Sequence, residues 1–216
     1  VEDSVTGALD YIEAEMDRFH KDFDVYSDAD AAGNHFYPSG YYNGADNMSV
    51  DTRWTSAPHS GTSAIKVTWS EEPGNDGYRW NSVLFQEPKT YMEKYDKGIP
   101  SSGYDLTGAQ ELSFWARAEE PELQVEFGMG HGGDSCGEHK RWIELSGNWE
   151  QYTIDVSNLD LSEVHGGFQF VINHLRDPGQ DGTTFYLDDI EDNLSRTEEP
   201  RLIRSYRTET DTRQFD

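Results

Sequence analysis

Hydrophobic and polar positions alternate along most of this chain. In residues 110–117, Leu112, Phe114 and Ala116 fall on one side, with Ser113, Trp115 and Arg117 on the other. In 122–128, Leu123, Val125 and Phe127 oppose Glu122, Gln124 and Glu126, and further on Phe168, Phe170 and Ile172 oppose Gln169, Val171 and Asn173. A period of two sends successive side chains to opposite faces of a strand, so each segment has one face for a core and one for solvent or ligand. The same reading gives ten short strands, at 23–27, 48–54, 63–69, 78–85, 110–117, 122–128, 141–145, 149–156, 167–173 and 184–190. Turns rich in Gly, Pro, Asn and Asp separate them, which predicts an all-β domain over 23–190, an antiparallel β-sandwich or barrel. Before it, Leu9, Ile12, Met16 and Phe19 recur at helical spacing, so 1–22 is expected to be an N-terminal helix or linker. After it, 191–216 is rich in Glu, Arg and Thr and reads as a C-terminal tail or linker.

Charge narrows the range of partners. The 216 residues hold 42 Asp and Glu against 17 Lys and Arg, a formal charge of -25 that repels phosphate backbones and anionic headgroups. Nucleic acid is excluded as a partner. Membrane insertion is excluded too, because no apolar run approaches the length of a membrane span, and residues 1–20, acidic and amphipathic, do not read as a signal peptide. The 13% aromatic content argues for a folded body. Extreme acidity with 11 Arg to only 6 Lys points to a high-salt environment, an ordinary acidic extracellular protein being the alternative. Cys136 is the single cysteine, so no internal disulfide forms and the core must carry the fold.

Several phrases, taken in order, resemble a known family. They are Gly103-Tyr104-Asp105-Leu106-Thr107-Gly108-Ala109, Leu112-Ser113-Phe114-Trp115-Ala116-Arg117, Trp149-Glu150-Gln151-Tyr152-Thr153-Ile154-Asp155, Gly166-Gly167-Phe168 and Thr184-Phe185-Tyr186-Leu187-Asp188-Asp189-Ile190. Together with Val25-Tyr26-Ser27-Asp28 and His35-Phe36-Tyr37-Pro38-Ser39-Gly40-Tyr41, this series is similar to the β-jelly-roll carbohydrate-binding modules with a galactose-binding-like fold. The resemblance implies a jelly roll from a secreted or cell-surface protein, noncatalytic binding of a polysaccharide or oligosaccharide, and tethering to a catalytic domain. It also implies a structural calcium between the last strand and the N-terminal loops. Asp188, with Asp28, Asp30 and Asp51, supplies the hard oxygen ligands for it. Where similar proteins carry a second tryptophan shortly after the one matching Trp80, this chain has Phe85.

A sugar presents an apolar face of C–H bonds and a rim of hydroxyls, so its site combines aromatic planes with amides, carboxylates and Arg. Phasing puts Trp115, Arg117, Gln124, Glu126, Gln169 and Asn173 on polar strand faces, with Trp142 out of phase with Ile143 and Trp80 beside a turn. These eight residues are the expected carbohydrate contacts, with Trp115, Trp142, Arg117, Gln124, Gln169 and Asn173 expected on one side of the same sheet and Trp115 packing under a loop or the N-terminal helix as the alternative. The segment from His131 through Asp134, Cys136 and Glu138 to His139 concentrates transition-metal donors, yet matches no zinc spacing. Two further functions stay open: a polysaccharide-degrading enzyme, hydrolase or lyase, and a structural extracellular interaction domain whose aromatics only pack.

The charge carries its own test. Screening at high salt relieves more repulsion in the compact chain than in the expanded one. The thermal midpoint is expected to rise between about 0.1 M and 2 M NaCl by more than in a neutral osmolyte at matched water activity, with ionic strengths chosen to take the Debye length from roughly 10 Å to below 3 Å. A flat midpoint overturns the high-salt reading.

Overall fold

A computed structural model describes residues 21–43, 47–70, 72, 77, 79–87, 103–174, 182–194 and 200–204. The chain opens with β1 (Lys21–Tyr26), β2 (Tyr37–Tyr42), β3 (Met48–Trp54), β4 (Ala64–Trp69) and β5 (Trp80–Gln86). It continues through β6 (Gly103–Asp105), β7 (Ala109–Ala118), β8 (Leu123–Met129), β9 (His139–Leu145) and β10 (Glu150–Asp155). β11 (Gly166–Asn173), β12 (Thr183–Leu194) and β13 (Arg201–Arg204) complete it. One sheet runs β10-β7-β12-β4-β3 with β1 also on β12, a second runs β2-β5-β11-β8-β9, and β13 pairs with β6. All pairs are antiparallel, and the two larger sheets make the sandwich of a jelly roll.

The alternation seen in the sequence sorts the side chains as expected. Leu112, Phe114, Val125, Phe127, Phe168, Phe170, Ile172 and Phe185 are fully buried between the sheets. Their rings meet edge-on or tilted: Phe114 to Phe127 at 4.7 Å between centroids, Phe114 to Phe168 at 5.4 Å, Phe170 to Phe185 at 5.2 Å. Such pairs add about 0.5–1.5 kcal/mol each beyond the burial of their area. Close packing reaches the backbone at Gly167, where a Cβ would run into the ring of buried Phe36.

Three strands escape the alternation. In β2, Pro38 and Gly40 look like turn chemistry, but β2 is an edge strand whose register slips between those two residues, which is where a sheet tolerates them. β6 is only three residues long. Its partner β13 lies in the segment read as a tail, and β12 also continues past 190 to Leu194. The helix expected in 6–20 lies outside the described residues.

β12 bends at a bulge between Asp188 and Glu191, with Asp189 at φ 43°. Beyond it the strand leaves β4 and pairs with β1. The bulge carries the inward phase from Leu187 to Ile190 and so turns Asp192 inward, opposite Phe23 and Leu112. Asp192 is fully buried, and neither carboxyl oxygen has a partner among the described residues. Burial, reinforced by Glu191, therefore raises its pKa well above the usual carboxylate range. Glu191 is pushed up to about 7, by burial first and then by Asp22, and Asp188 to about 6, chiefly by burial.

Each of these acids is easier to protonate in the folded chain than in the unfolded one. Their stabilising contribution is complete below about pH 4 and is lost as pH rises through the folded values. At fixed ionic strength the melting temperature should fall between about pH 5 and 8, a window that contains the folded values of Asp188 and Glu191. Asp192→Asn should raise the pH 8 value and flatten the slope, and an unchanged slope in that variant counts against this account.

Candidate functional site

The outer face of the five-stranded sheet gathers most of the expected sugar contacts. Register places Trp80 of β5 beside Asn173 of β11, Gln169 of β11 beside Gly128 of β8, and Glu126 of β8 between Val171 and Trp142. Gln124 shares that face one pair along, opposite Glu144. Trp80 and Trp142, both half-buried, stand on β5 and β9, separated by β11 and β8, about 14 Å apart at the usual strand spacing. Toward Trp80 the face dips into a cleft of about 170 Å³ floored by Leu84 and Val171, with Tyr42, His131 and Lys140 on its walls.

The polar groups of this face are held in place. Gln169, 6% exposed, donates its amide to the carbonyls of Gly130 at 2.7 Å and Met129 at 3.3 Å. Tyr42 Oη lies 2.9 Å from His131 Nε2. Lys140 Nζ sits 2.9 Å from Glu138 and 3.9 Å from Glu126, so its charge is shared by two carboxylates. Pre-set donors and acceptors cost a ligand little ordering entropy. Phe85 is fully buried in the core, and the outward positions beside Trp80 on β5 belong to Ser82 and Leu84.

Trp115 and Arg117 do not join this face. They belong to β7, in the other sheet, and so occupy the opposite side of the sandwich. The expectation of a single shared face is corrected accordingly: phasing separates inward from outward positions but says nothing about which sheet a strand enters. Trp115 is half-buried beneath the loop after β3, with the His59 ring stacked on it at 3.7 Å and 14°. Arg117 lies over the Tyr186 ring at 4.1 Å, with Trp149 at 5.4 Å and Trp54 at 5.6 Å.

The four acidic residues expected as calcium ligands close loops by hydrogen bonding. Asp188 Oδ2 accepts from the backbone N–H groups of His59 at 2.9 Å and Ser60 at 3.3 Å, and its Oδ1 from that of Asp189 at 3.0 Å. Asp28 Oδ1 accepts from the N–H groups of Thr62 and Ser63 at 2.8 and 2.7 Å and from both hydroxyls, and these bonds hold its pKa below the usual range. Asp30 accepts from Arg53 at 2.6 Å, and Asp51 from the Arg53 N–H at 2.9 Å. Asp188, Asp28 and Asp51 all act on buried Tyr26, whose hydroxyl is pushed up to about 12, first by burial and then by their negative charge. These oxygens suit calcium in kind. Among the described residues, though, no three His, Cys, Asp or Glu side chains are grouped to hold a metal.

The donor-rich loop after β8 is divided among separate tasks. Asp134 pairs with His165 Nδ1 and accepts from the N–H groups of His165 and Gly166, both at 3.1 Å, tying the loop to the start of β11. His131 serves the cleft, and Cys136 donates to the Gly137 carbonyl at 3.2 Å. Burial pushes the Cys136 thiol up to about 12, so it carries no thiolate at neutral pH. The Asp134–His165 pair spans 31 positions, and no local pattern in the sequence announces it.

No family model and no curated protein matches the chain. Solved structures do. Two crystal structures of a family 30 carbohydrate-binding module superpose with TM-scores of 0.52 and 0.53 at 15% and 14% identity, over 83% and 79% of this chain and 90% and 97% of theirs. The family 30 carbohydrate-binding module of the cellulosomal cellulase Cel9D-Cel44B of Clostridium thermocellum gives 0.52 at 14% identity, over 79% of this chain and 96% of its own. Likeness at that identity is likeness of fold: the chain has a jelly-roll β-sandwich fold like that of these modules.

Proposed function

We propose that this domain binds a neutral polysaccharide or oligosaccharide, without catalysis, on the outer face of its five-stranded sheet. The observation that carries the proposal is the pair Trp80 and Trp142 at opposite sides of a face whose intervening positions hold Gln169, Asn173, Gln124 and Glu126. Flat aromatic surfaces suit the C–H face of a pyranose, and amides and carboxylates suit its hydroxyls. Neutrality follows from charge: Lys140, the one Lys or Arg lining the cleft among the described residues, is shared between Glu126 and Glu138. The fold it shares with carbohydrate-binding modules supports the same reading, and with it secretion or cell-surface display and attachment to a polysaccharide-active catalytic domain, while the formal charge of -25 supports work in high salt.

Affinity electrophoresis in soluble β-glucan, xylan and mannan tests the site. Retardation by at least one polymer is expected, with Trp142→Ala and Trp80→Ala each weakening binding about tenfold or more, which corresponds to ~1.4 kcal/mol. No reducing ends should be released during incubation. Full binding in both variants removes this face from the proposal, and hydrolysis lost in a single carboxylate variant replaces the binder with an enzyme.

A structural calcium at Asp188, with Asp28, Asp30 and Asp51, belongs to the same proposal, supported by the hard-oxygen chemistry of these carboxylates. An ion bound only by the folded chain adds about 2.7 kcal/mol at 100-fold above its Kd. EDTA should lower the melting temperature of the wild type but not that of Asp188→Ala. That variant should already melt lower, because the part-buried N–H groups of His59, Ser60 and Asp189 lose their acceptor, a loss of about 1 kcal/mol or more in total. Identical curves in calcium and EDTA, with no metal by elemental analysis, leave Asp188 as the hydrogen-bond anchor of the loop at 59–60.

A further inference from the structure

The opposite face of the sandwich holds a group that the neutral-sugar site does not use. On the outer side of the six-stranded sheet, register sets Asp51 of β3, Lys66 of β4, Tyr186 of β12 and Arg117 of β7 in one row across the strands. Tyr186, 3% exposed, forms the floor, and its hydroxyl donates to Glu119 at 2.6 Å. Half-buried Trp54 and Trp149 stand beside it, Trp54 at 4.3 Å and Trp149 at 6.4 Å between ring centroids. The Trp149 indole is anchored by a hydrogen bond to the Ala57 carbonyl at 3.3 Å.

Lys66 and Arg117 flank Tyr186, two strand spacings or about 10 Å apart at the backbone. Neither forms an ion pair among the described residues. In a chain with 42 carboxylates and 17 cations, two neighbouring cations that form no ion pair among the described residues are uncommon, even with Asp51 and Glu119 beside them. Asp51 at the end of the row is turned to the Arg53 N–H, and Glu119 is engaged by the Tyr186 hydroxyl. A guanidinium is a planar fork of donors matched to carboxylate and sulfate oxygens, and it keeps that capacity while its face rests on an aromatic ring.

We propose that this second face recognises an anionic saccharide, a pyranose bearing a carboxylate or sulfate, with Arg117 and Lys66 taking the charge and Trp54 and Trp149 the ring. The two faces then read different chemistries, neutral chain on one side and acidic sugar on the other. Since the whole protein repels anions, such recognition operates where salt screens the long-range field: at about 1 M the Debye length is roughly 3 Å, while contacts at hydrogen-bond distance persist.

The test is NMR titration of the full chain at 1 M NaCl with trigalacturonate, its fully methyl-esterified form and a sulfated galactose oligosaccharide. Trigalacturonate should shift the indole N–H signals of Trp54 and Trp149 and leave that of Trp142 in place. The methyl ester should bind at least tenfold more weakly. Lys66→Ala, an exchange on a strand surface that spares the core, should also cost at least tenfold, and Trp142→Ala should cost nothing, which separates failure here from failure of the neutral-sugar face. Sulfate binding alongside uronate assigns recognition to charge, and uronate binding alone assigns it to carboxylate geometry; either supports the proposal. Equal binding of acid and ester, unchanged affinity in Lys66→Ala, shifts confined to Trp80 and Trp142, or no shift at all overturns it.

Discussion

The phenylalanine layer between the two sheets is the constraint on which the remainder depends. Phe114 and Phe185 reach inward from one sheet, Phe127, Phe168 and Phe170 from the other, and their rings interlock at centroid distances of 4.7 to 6.1 Å. With one cysteine there is no disulfide to share the load. Because apolar side chains take one phase of each strand, the other phase is left for chemistry on both outer faces. A sandwich of this kind therefore has two working surfaces, and the chain equips them differently.

Charge is organised around that core. Most of the described carboxylates are solvent-exposed, but Asp188, just before the bulge in β12, and Asp192, just after it, are buried, with opposite results. Asp188 meets the backbone N–H groups of His59 and Ser60 and joins the last long strand to a loop almost 130 residues earlier. Asp192, opposite Phe23 and Leu112, has a neighbouring acid and no hydrogen-bond partner among the described residues. An ionised carboxylate in such a place costs several kcal/mol, so the proton is retained instead. The bulge thus accounts for the acid held neutral, while the staple stands in the outward phase before it, opposite Trp115.

The two faces differ in how their side chains are committed. Around the cleft, Lys140 is neutralised by Glu126 and Glu138 and the amide of Gln169 is spent on backbone carbonyls, so orientation is settled before a ligand arrives. On the other side, Arg117 has aromatic rings for neighbours, and rings stabilise a cation without cancelling its charge. A guanidinium in that setting keeps its charge, and the donors not turned to the Tyr186 hydroxyl remain for a ligand.

The alternation of Leu112, Phe114 and Ala116 with Ser113, Trp115 and Arg117, and its counterparts in β8 and β11, made the β-sandwich and the inward or outward sense of nearly every core strand legible from sequence. Period-two geometry is local: each residue's face follows from its neighbours along the strand. What sequence does not contain is the pairing between strands. β7 and β8 are adjacent in the chain yet enter different sheets, which is why Trp115 and Arg117 parted from Trp142, Gln124, Glu126, Gln169 and Asn173. β2 and β13 were hidden for a related reason, since a strand containing Pro38 and Gly40, or one set in a polar tail, is stabilised by its partner rather than by its own pattern. The same holds for the Asp188 loop anchor, the inward turn of Asp192 and the Lys66–Tyr186–Arg117 row: each joins segments distant in sequence, through hydrogen bonds and register that exist only once the sheets have closed over their core.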